Sequence, residues 1–274
     1  MRLPGGPSAP CGFPTRRPPL QGQLPPREGG GSGGRSGRDL PKDGRAGDIL
    51  CLVCGRYTLT SAPARIDEQF ELPAAETAGL TPRYNIAPGQ PIPVVVDADG
   101  RRALRSLHWG LRGAVASDDR NAPTPINVRI ESAEEIRGFR AALDHGRCLV
   151  PADGFFEWRR RRSGPEPHWL TLPDRALFAF AGLRSTVDPE GSVAILTRPA
   201  RGALRELHDR MPVLLAAGDY LAWLDPRVGR AAALVRCESP LSDLLSSRPV
   251  DARVNDVRFD DPACVEPSPQ LAWF

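Results

Sequence analysis

From residue 54 onward, hydrophobic positions come in short bursts separated by proline, glycine and charge. Residues 56–59 read as a strand. Ser61 is placed to cap a short helix running to about Phe70, with Ile66 and Phe70 four apart on one face. The run Arg83-Tyr84-Asn85-Ile86-Ala87-Pro88-Gly89-Gln90 reads as a turn-rich loop. Residues 93–96 and 103–109 alternate as strands joined across Asp99-Gly100, and the polar stretch 112–125 reads as a loop. Ser132-Ala133-Glu134-Glu135 has the form of a capping box opening a helix, which Gly146 stops. Strands are expected at 148–150, 154–159, 169–172, 177–183 and 192–197, and short helices at 202–208, 218–224 and 240–247. Strands outnumber helices and nothing repeats as a βαβ unit. The expected class is α+β: a strongly curved or barrel-like antiparallel β-sheet with short flanking helices, in one domain over about 54–270.

Composition sets residues 1–53 apart. The first 50 hold twelve glycines and nine prolines, too little apolar surface to offset the backbone entropy of folding. They read as a disordered leader, or as residues that are not made. Val53 can be encoded by GTG, an alternative bacterial start codon read as methionine. The expectation is that translation begins there, with a genuine flexible leader as the alternative. The first 53 residues supply a charge of +4 out of a total of +3, leaving the remainder near −1. Nucleic-acid binding must therefore come from a local groove. No apolar run approaches the ~20 residues of a membrane span. No signal peptide is legible, and six scattered cysteines read as reduced thiols, so the expected location is cytoplasmic.

Four polar clusters fall outside the apolar pattern. Cys54-Gly55-Arg56 places a thiol beside a fixed positive charge that favours thiolate, against the alternative of a small buried hydrophobe. Asn127, Arg129 and Glu131 alternate along one strand face, and either bind something or pair as Arg129–Glu131. Glu157 sits among aromatics in Gly154-Phe155-Phe156-Glu157-Trp158, where desolvation raises a carboxyl pKa toward useful values. Its alternative is an outward strand position. His208, in Leu207-His208-Asp209-Arg210-Met211-Pro212, is a proton shuttle or a helix end cap. Arg159-Arg160-Arg161-Arg162 reads as a solvated hairpin turn or a phosphate contact, while His108, His145 and His168 read as structural or surface residues. Cys51 and Cys54 make one Cys-x-x-Cys with no second pair at zinc-ribbon spacing.

Taken in order, several pieces resemble the SOS-response-associated peptidase (SRAP) family of abasic-site shielding proteins. They are Cys54-Gly55-Arg56-Tyr57, Arg83-Tyr84-Asn85-Ile86-Ala87-Pro88, Trp109-Gly110-Leu111, Asn127-Val128-Arg129-Ile130-Glu131-Ser132, Pro151-Ala152-Asp153-Gly154-Phe155-Phe156-Glu157-Trp158 and His208-Asp209-Arg210-Met211-Pro212, closed by Val254-Asn255. The resemblance implies an N-terminal cysteine whose amine and thiol together form a thiazolidine crosslink with an abasic site. It implies catalytic duty for Cys54, Asn127, Glu157 and His208. Contacts to single-stranded DNA would come from Arg56, Arg83, Asn85, Pro88, Trp109, Arg129 and Glu131. Trp109, Phe155 and Trp158 would line the pocket or stack a base, with core packing as the alternative. No metal or cofactor is implied. The partner is single-stranded DNA with abasic sites, acted on by a monomer in the DNA-damage and SOS response, with AP-lyase activity and self-removal of a leader as further expectations. The sequence departs from the family after Trp109-Gly110, where no second Trp follows. Two other readings stay open: a cysteine peptidase using Cys54 with His208 and Asn127 or Glu157, and a zinc-stabilised binding module through Cys51 and Cys54.

Overall fold

The computed structural model describes residues 54–113 and 124–268. The leader, Val53 and Cys51 lie outside those residues, as does most of the loop expected at 112–125.

Short β-rich bursts become short strands. In order these are β1 (Tyr57–Leu59), β2 (Arg83–Ile86), β3 (Pro91–Ala98), β4 (Arg101–Trp109), β5 (Asn127–Arg129), β6 (Arg147–Ala152), β7 (Gly154–Arg161), β8 (Gly164–Thr171), β9 (Phe178–Arg184), β10 (Ser192–Pro199), β11 (Arg210–Pro212), β12 (Leu214–Leu215) and β13 (Ser246–Pro249). Between them lie α1 (Pro63–Phe70), α2 (Ile130–Glu135), α3 (Arg137–His145), α4 (Tyr220–Leu224) and α5 (Arg230–Val235), with several 3₁₀ turns. Asp99 and Gly100 both take positive φ, 54° and 81°, which is the geometry a two-residue hairpin turn needs.

One sheet has the order β13-β8-β7-β1-β2. The other runs β11-β10-β4-β3-β6-β9-β12, and β10 also pairs with β9. Strands β10, β4, β3, β6 and β9 therefore close into a ring, as the curved-sheet reading expected. Its pairing is not wholly antiparallel. β10 runs parallel to both β4 and β5, because β5 enters beside β10 only after the long 110–126 connection. Both faces of the ring are buried: Val94, Val150, Phe180 and Ile195 share one, and Val95, Leu149 and Ala181 the other.

A single residue, Asp153, separates β6 from β7 and hands the chain from one sheet to the other. Buried, its carboxylate accepts from the Thr58 hydroxyl at 2.7 Å and from the Thr60 and Ser61 amides at 2.6 and 2.8 Å. The Ser61 hydroxyl also goes to Asp153 (3.0 Å), so it does not cap α1, whose N-cap is Ala62 with no side-chain bond. The expected inner face of α1 holds: Ile66 and Phe70 are buried. At Gly154 a Cβ would stand 2.3 Å from the Trp169 indole nitrogen, so the tight entry to β7 requires glycine.

Three further expectations are corrected. Residues 83–86 form a strand, because Tyr57 and Leu59 pair with them. α2 begins at Ile130, not at a Ser132 cap, because the chain turns helical directly on leaving β5. The 240–247 segment divides into a 3₁₀ turn, Pro240–Leu244, and β13, which is drawn onto β8.

A C-terminal strap packs Val250, Val254, Cys264 and Val265 onto Phe156 and Trp169, on the face of β7–β8 away from the ring. Asn85 fastens it. Its Nδ2 lies 3.2, 3.1 and 2.7 Å from the carbonyls of Val254, Asp256 and Phe259. Asp260 answers by accepting the Asn85 amide at 2.8 Å and pairing with Arg83. Asn85→Ala should therefore cost about 2–3 kcal/mol in urea unfolding, the penalty of leaving buried carbonyls without donors. Asn85→Asp should cost more, since it aims acceptor oxygens at three carbonyls. An Asn85→Asp protein as stable as wild type would contradict this role.

Candidate active site

Strand pairing delivers a carboxyl to a backbone nitrogen. Tyr57 pairs with Phe155, and the Phe156 amide donates to the Arg56 carbonyl at 3.0 Å. Continuing that ladder brings Glu157 alongside Cys54. Side chains alternate along β7, so Phe155 and Glu157 share the face toward the ring while Phe156 and Trp158 face the strap. The Cys54 backbone nitrogen donates to Glu157 Oε1 at 2.8 Å. Cys54 is fully buried and holds a positive φ of 45°.

Burial dominates the electrostatics. Glu157 is 1% exposed, and its pKa is pushed up to about 8. Burial is the largest cause, partly offset by the amides of Cys54 and Trp158, and the Asp209 carboxylate adds to it. The outward-strand alternative for Glu157 is thereby removed. The Cys54 thiol is also pushed well up, first by burial and then by Glu157. Arg56 does not counter this. Its guanidinium turns toward the Gly55 and Asn255 carbonyls, at 3.4 and 3.5 Å, and is itself buried. The expectation that Arg56 favours a Cys54 thiolate is corrected: burial outweighs a charge directed at the strap.

His208 follows the 3₁₀ turn Gly202–Glu206 and is half-buried. Its Nδ1 accepts the Arg210 amide at 3.0 Å and lies 2.8 Å from Asp209 Oδ1. Burial lowers its pKa, with Asp209 partly restoring it. Among the described residues no hydrogen bond joins the Cys54 thiol to His208.

Asn127 lies on β5 opposite Ile195 of β10, and Pro199 of β10 pairs with Arg210 of β11. One strand thus ties Asn127 to the His208 segment. Glu131 is corrected to the first turn of α2, off the strand face shared by Asn127 and Arg129. Its partner is Arg210, held at 3.1 and 2.9 Å, and these bonds keep its carboxyl below the usual range. Arg129 is exposed.

The remaining sequence candidates divide between surface and scaffold. Arg83 is partly exposed beside Asp260 and Gln90, the latter at 2.7 Å, and Pro88 is half-buried in the following turn. Asn85 is wholly buried under the strap. Trp109 is fully buried, edge-on to Tyr57 at 5.4 Å, with its indole N–H on the Ile126 carbonyl at 3.0 Å, and it leaves no face open to a base. Phe155 packs against Phe180 in the core. Trp158 donates to Asn255 Oδ1 at 2.7 Å. Asn255, which also receives Arg56, joins both neighbours of the Cys54–Glu157 pair, a role signalled only by the closing Val254-Asn255. The Arg159–Arg162 run ends in the β7–β8 hairpin, with Arg159 on Glu206 (3.6 Å) and Arg161 on Glu166 (3.1 Å). His168 is buried between Ser247 and Glu166, both 3.0 Å away. Among the described residues no group of three or more His, Cys, Asp or Glu could hold a metal, and no helix is long and apolar enough to cross a membrane.

A family model described as SOS response associated peptidase (SRAP) matches residues 53–257. The chain is 37% identical over 182 residues to the abasic site processing protein YoaM of Bacillus subtilis, covering 64% of this chain and 80% of that protein. It is 33% identical over 222 residues to the abasic site processing protein YoqW of the same organism, covering 78% and 99%. A crystal structure of a protein from Bacteroides thetaiotaomicron shares the fold, with a TM-score of 0.67 at 18% identity, covering 78% of this chain and all of that one.

Proposed function

This chain belongs to the SOS response associated peptidase (SRAP) family, and on that premise we propose that it processes abasic sites in single-stranded DNA by crosslinking to them through Cys54. The observation that carries the reading is the buried Glu157 carboxyl held 2.8 Å from the Cys54 backbone nitrogen. In a chain that begins at Cys54 this nitrogen is the α-amine, with a pKa near 8. A carboxyl whose own pKa is about 8 can exchange a proton with it at neutral pH.

The steps balance as follows. His208 passes a proton to the ring oxygen of the abasic deoxyribose while the C1′ hydroxyl gives up its own proton to solvent, so the C1′–O4′ bond breaks and the sugar opens to the aldehyde. The Cys54 amine adds to the aldehyde carbon. The protonated Glu157 carboxyl gives its proton to the departing hydroxyl and takes one back from nitrogen, so water leaves and an imine forms. The thiol then adds across C=N: sulfur bonds to carbon and its proton goes to nitrogen, closing the five-membered thiazolidine. The net loss is one water. Both nucleophiles belong to one residue, so closure is intramolecular and does not need a preformed thiolate. Asn127 orients the sugar, and exposed Arg129, with Arg83, grips flanking phosphates. From the imine, removal of a C2′ proton expels the 3′ phosphate, which is the lyase branch.

This chemistry requires a free amine at Cys54, whether translation starts at Val53 or the Val53–Cys54 bond is cut. Chains expressed from Met1 and from a start at Val53 should be weighed intact and incubated with single-stranded DNA holding one abasic site. A heat-stable adduct is expected only from molecules whose mass begins at Cys54. Equal adduct from molecules that keep residues 1–53 would overturn the reading.

A further inference from the structure

Two segments that deliver site residues also wall a cleft. One is the β5–α2 junction, which follows Asn127 and Arg129. The other is the connection from β10 to β11, which ends in His208. Between them lies a cavity of about 310 Å³ lined by Ile130, Glu131, Arg198, Arg201, Arg205 and Glu238, among others. Its charge is uneven. Glu131 is already committed to Arg210 through two bonds. Glu238 alone faces three guanidinium groups, which leaves a local excess of two positive charges.

The hydrogen bonding shows what the cleft is built to hold. A single oxygen, Glu238 Oε2, accepts from Arg198 Nη2 at 2.7 Å and from Arg201 Nη2 at 2.5 Å. That is one anionic oxygen between two forks, the geometry in which arginines hold phosphate oxygens. Arg198 is fixed from behind, 5% exposed, with Nη1 on the Cys237 carbonyl at 2.5 Å. Its Nε is buried without a partner. Arg205 is anchored by Nε to the Ala200 carbonyl at 3.0 Å. The Glu238 side chain is 55% exposed and so is free to swing out and surrender its place.

We infer that this cleft is a phosphodiester subsite for single-stranded DNA, in which a backbone phosphate displaces Glu238 from Arg198 and Arg201 while Arg205 closes the site. The inference rests on the abasic-site reading for its ligand. It sets the path of the strand, which leaves the reacting sugar along the β10–β11 connection.

The test uses an undamaged single-stranded oligonucleotide, with affinity measured by anisotropy across a salt series. Arg201→Ala/Arg205→Ala should bind about tenfold more weakly at moderate salt, with a slope of log affinity against log salt shallower by about one to two. Glu238→Gln should bind about threefold more tightly, because the competing carboxylate is gone. Arg201→Lys/Arg205→Lys keeps the charge and should keep most of the slope, which guards against a misfolded alanine variant. Unchanged affinity and slope in a normally melting alanine variant overturns the subsite, as does a Glu238→Gln protein that binds no tighter. Saturable binding of inorganic phosphate at micromolar concentration, with strand affinity unaffected by the alanine pair, reassigns the cleft to a free anion. If the salt effects appear but no form makes an adduct, the abasic reading falls and the subsite stands.

Discussion

Replacing Cys54 with alanine should abolish the heat-stable adduct, by a factor of about a thousand or more, while leaving the first covalent step intact. Alanine at the terminus still offers an α-amine beside Glu157, so an imine can form. What is missing is the sulfur that closes the ring, and the imine alone reverses in water. Intramolecular closure carries an effective molarity of about 10⁵ M or higher, which is why its loss has so large an effect. Borohydride should trap Cys54→Ala on abasic DNA at a yield near that of wild type. A stable adduct from Cys54→Ala without reductant, or no trapping at all, would each contradict the division of labour between amine and thiol. The buried, raised thiol fits this order of events, since sulfur is needed only after the amine has reacted.

Replacing Glu157 with glutamine should slow adduct formation about a hundredfold and change the shape of its pH dependence. In the wild type, raising pH frees the amine but strips the proton from a carboxyl of pKa about 8. The rate should therefore rise, pass a maximum near pH 8 and fall. In Glu157→Gln the amide does not titrate, so the alkaline fall should vanish and the rate should climb to a plateau as the amine deprotonates. An alkaline limb that survives in Glu157→Gln would place the proton donor elsewhere. Stability offers a parallel check. The folded protein holds this proton more tightly than the unfolded chain, whose carboxyl titrates near 4.5. Stability should then fall as pH rises from about 4.5 through about 8, and Glu157→Gln should lose that slope.

Much of this site could be read from local patterns. The aromatics beside Glu157 in residues 154–158 marked it for desolvation, and burial does raise its carboxyl. The 3.6 period gave Ile66 and Phe70 one inner face, and Asp99-Gly100 gave the hairpin. Contacts between distant segments were not legible. Asn85 and Asp260 meet across 175 residues, so a residue in a motif that reads as DNA-binding instead fastens the strap. Arg56 is one position from Gly55, yet its direction is set by Asn255, far away in the chain. Arg129 and Glu131 are two apart and opposite in charge, but the chain turns helical between them and Glu131 goes to Arg210. Trp109 read equally well as a stacking face or as core, and only the sheet closing around Tyr57 decides for core. The parallel pairings of β10 depend on where a long connection lands, which no local pattern records.

The Cys54–Glu157 pair is tested most directly by the mass of the DNA adduct formed by a chain that begins at Cys54, before and after treatment with iodoacetamide under denaturing conditions. The expected product equals protein plus DNA minus one water. Cys54 should escape alkylation, because both its amine and its sulfur are consumed. No adduct from such a chain, or an adduct in which the Cys54 thiol is still alkylated, would contradict it.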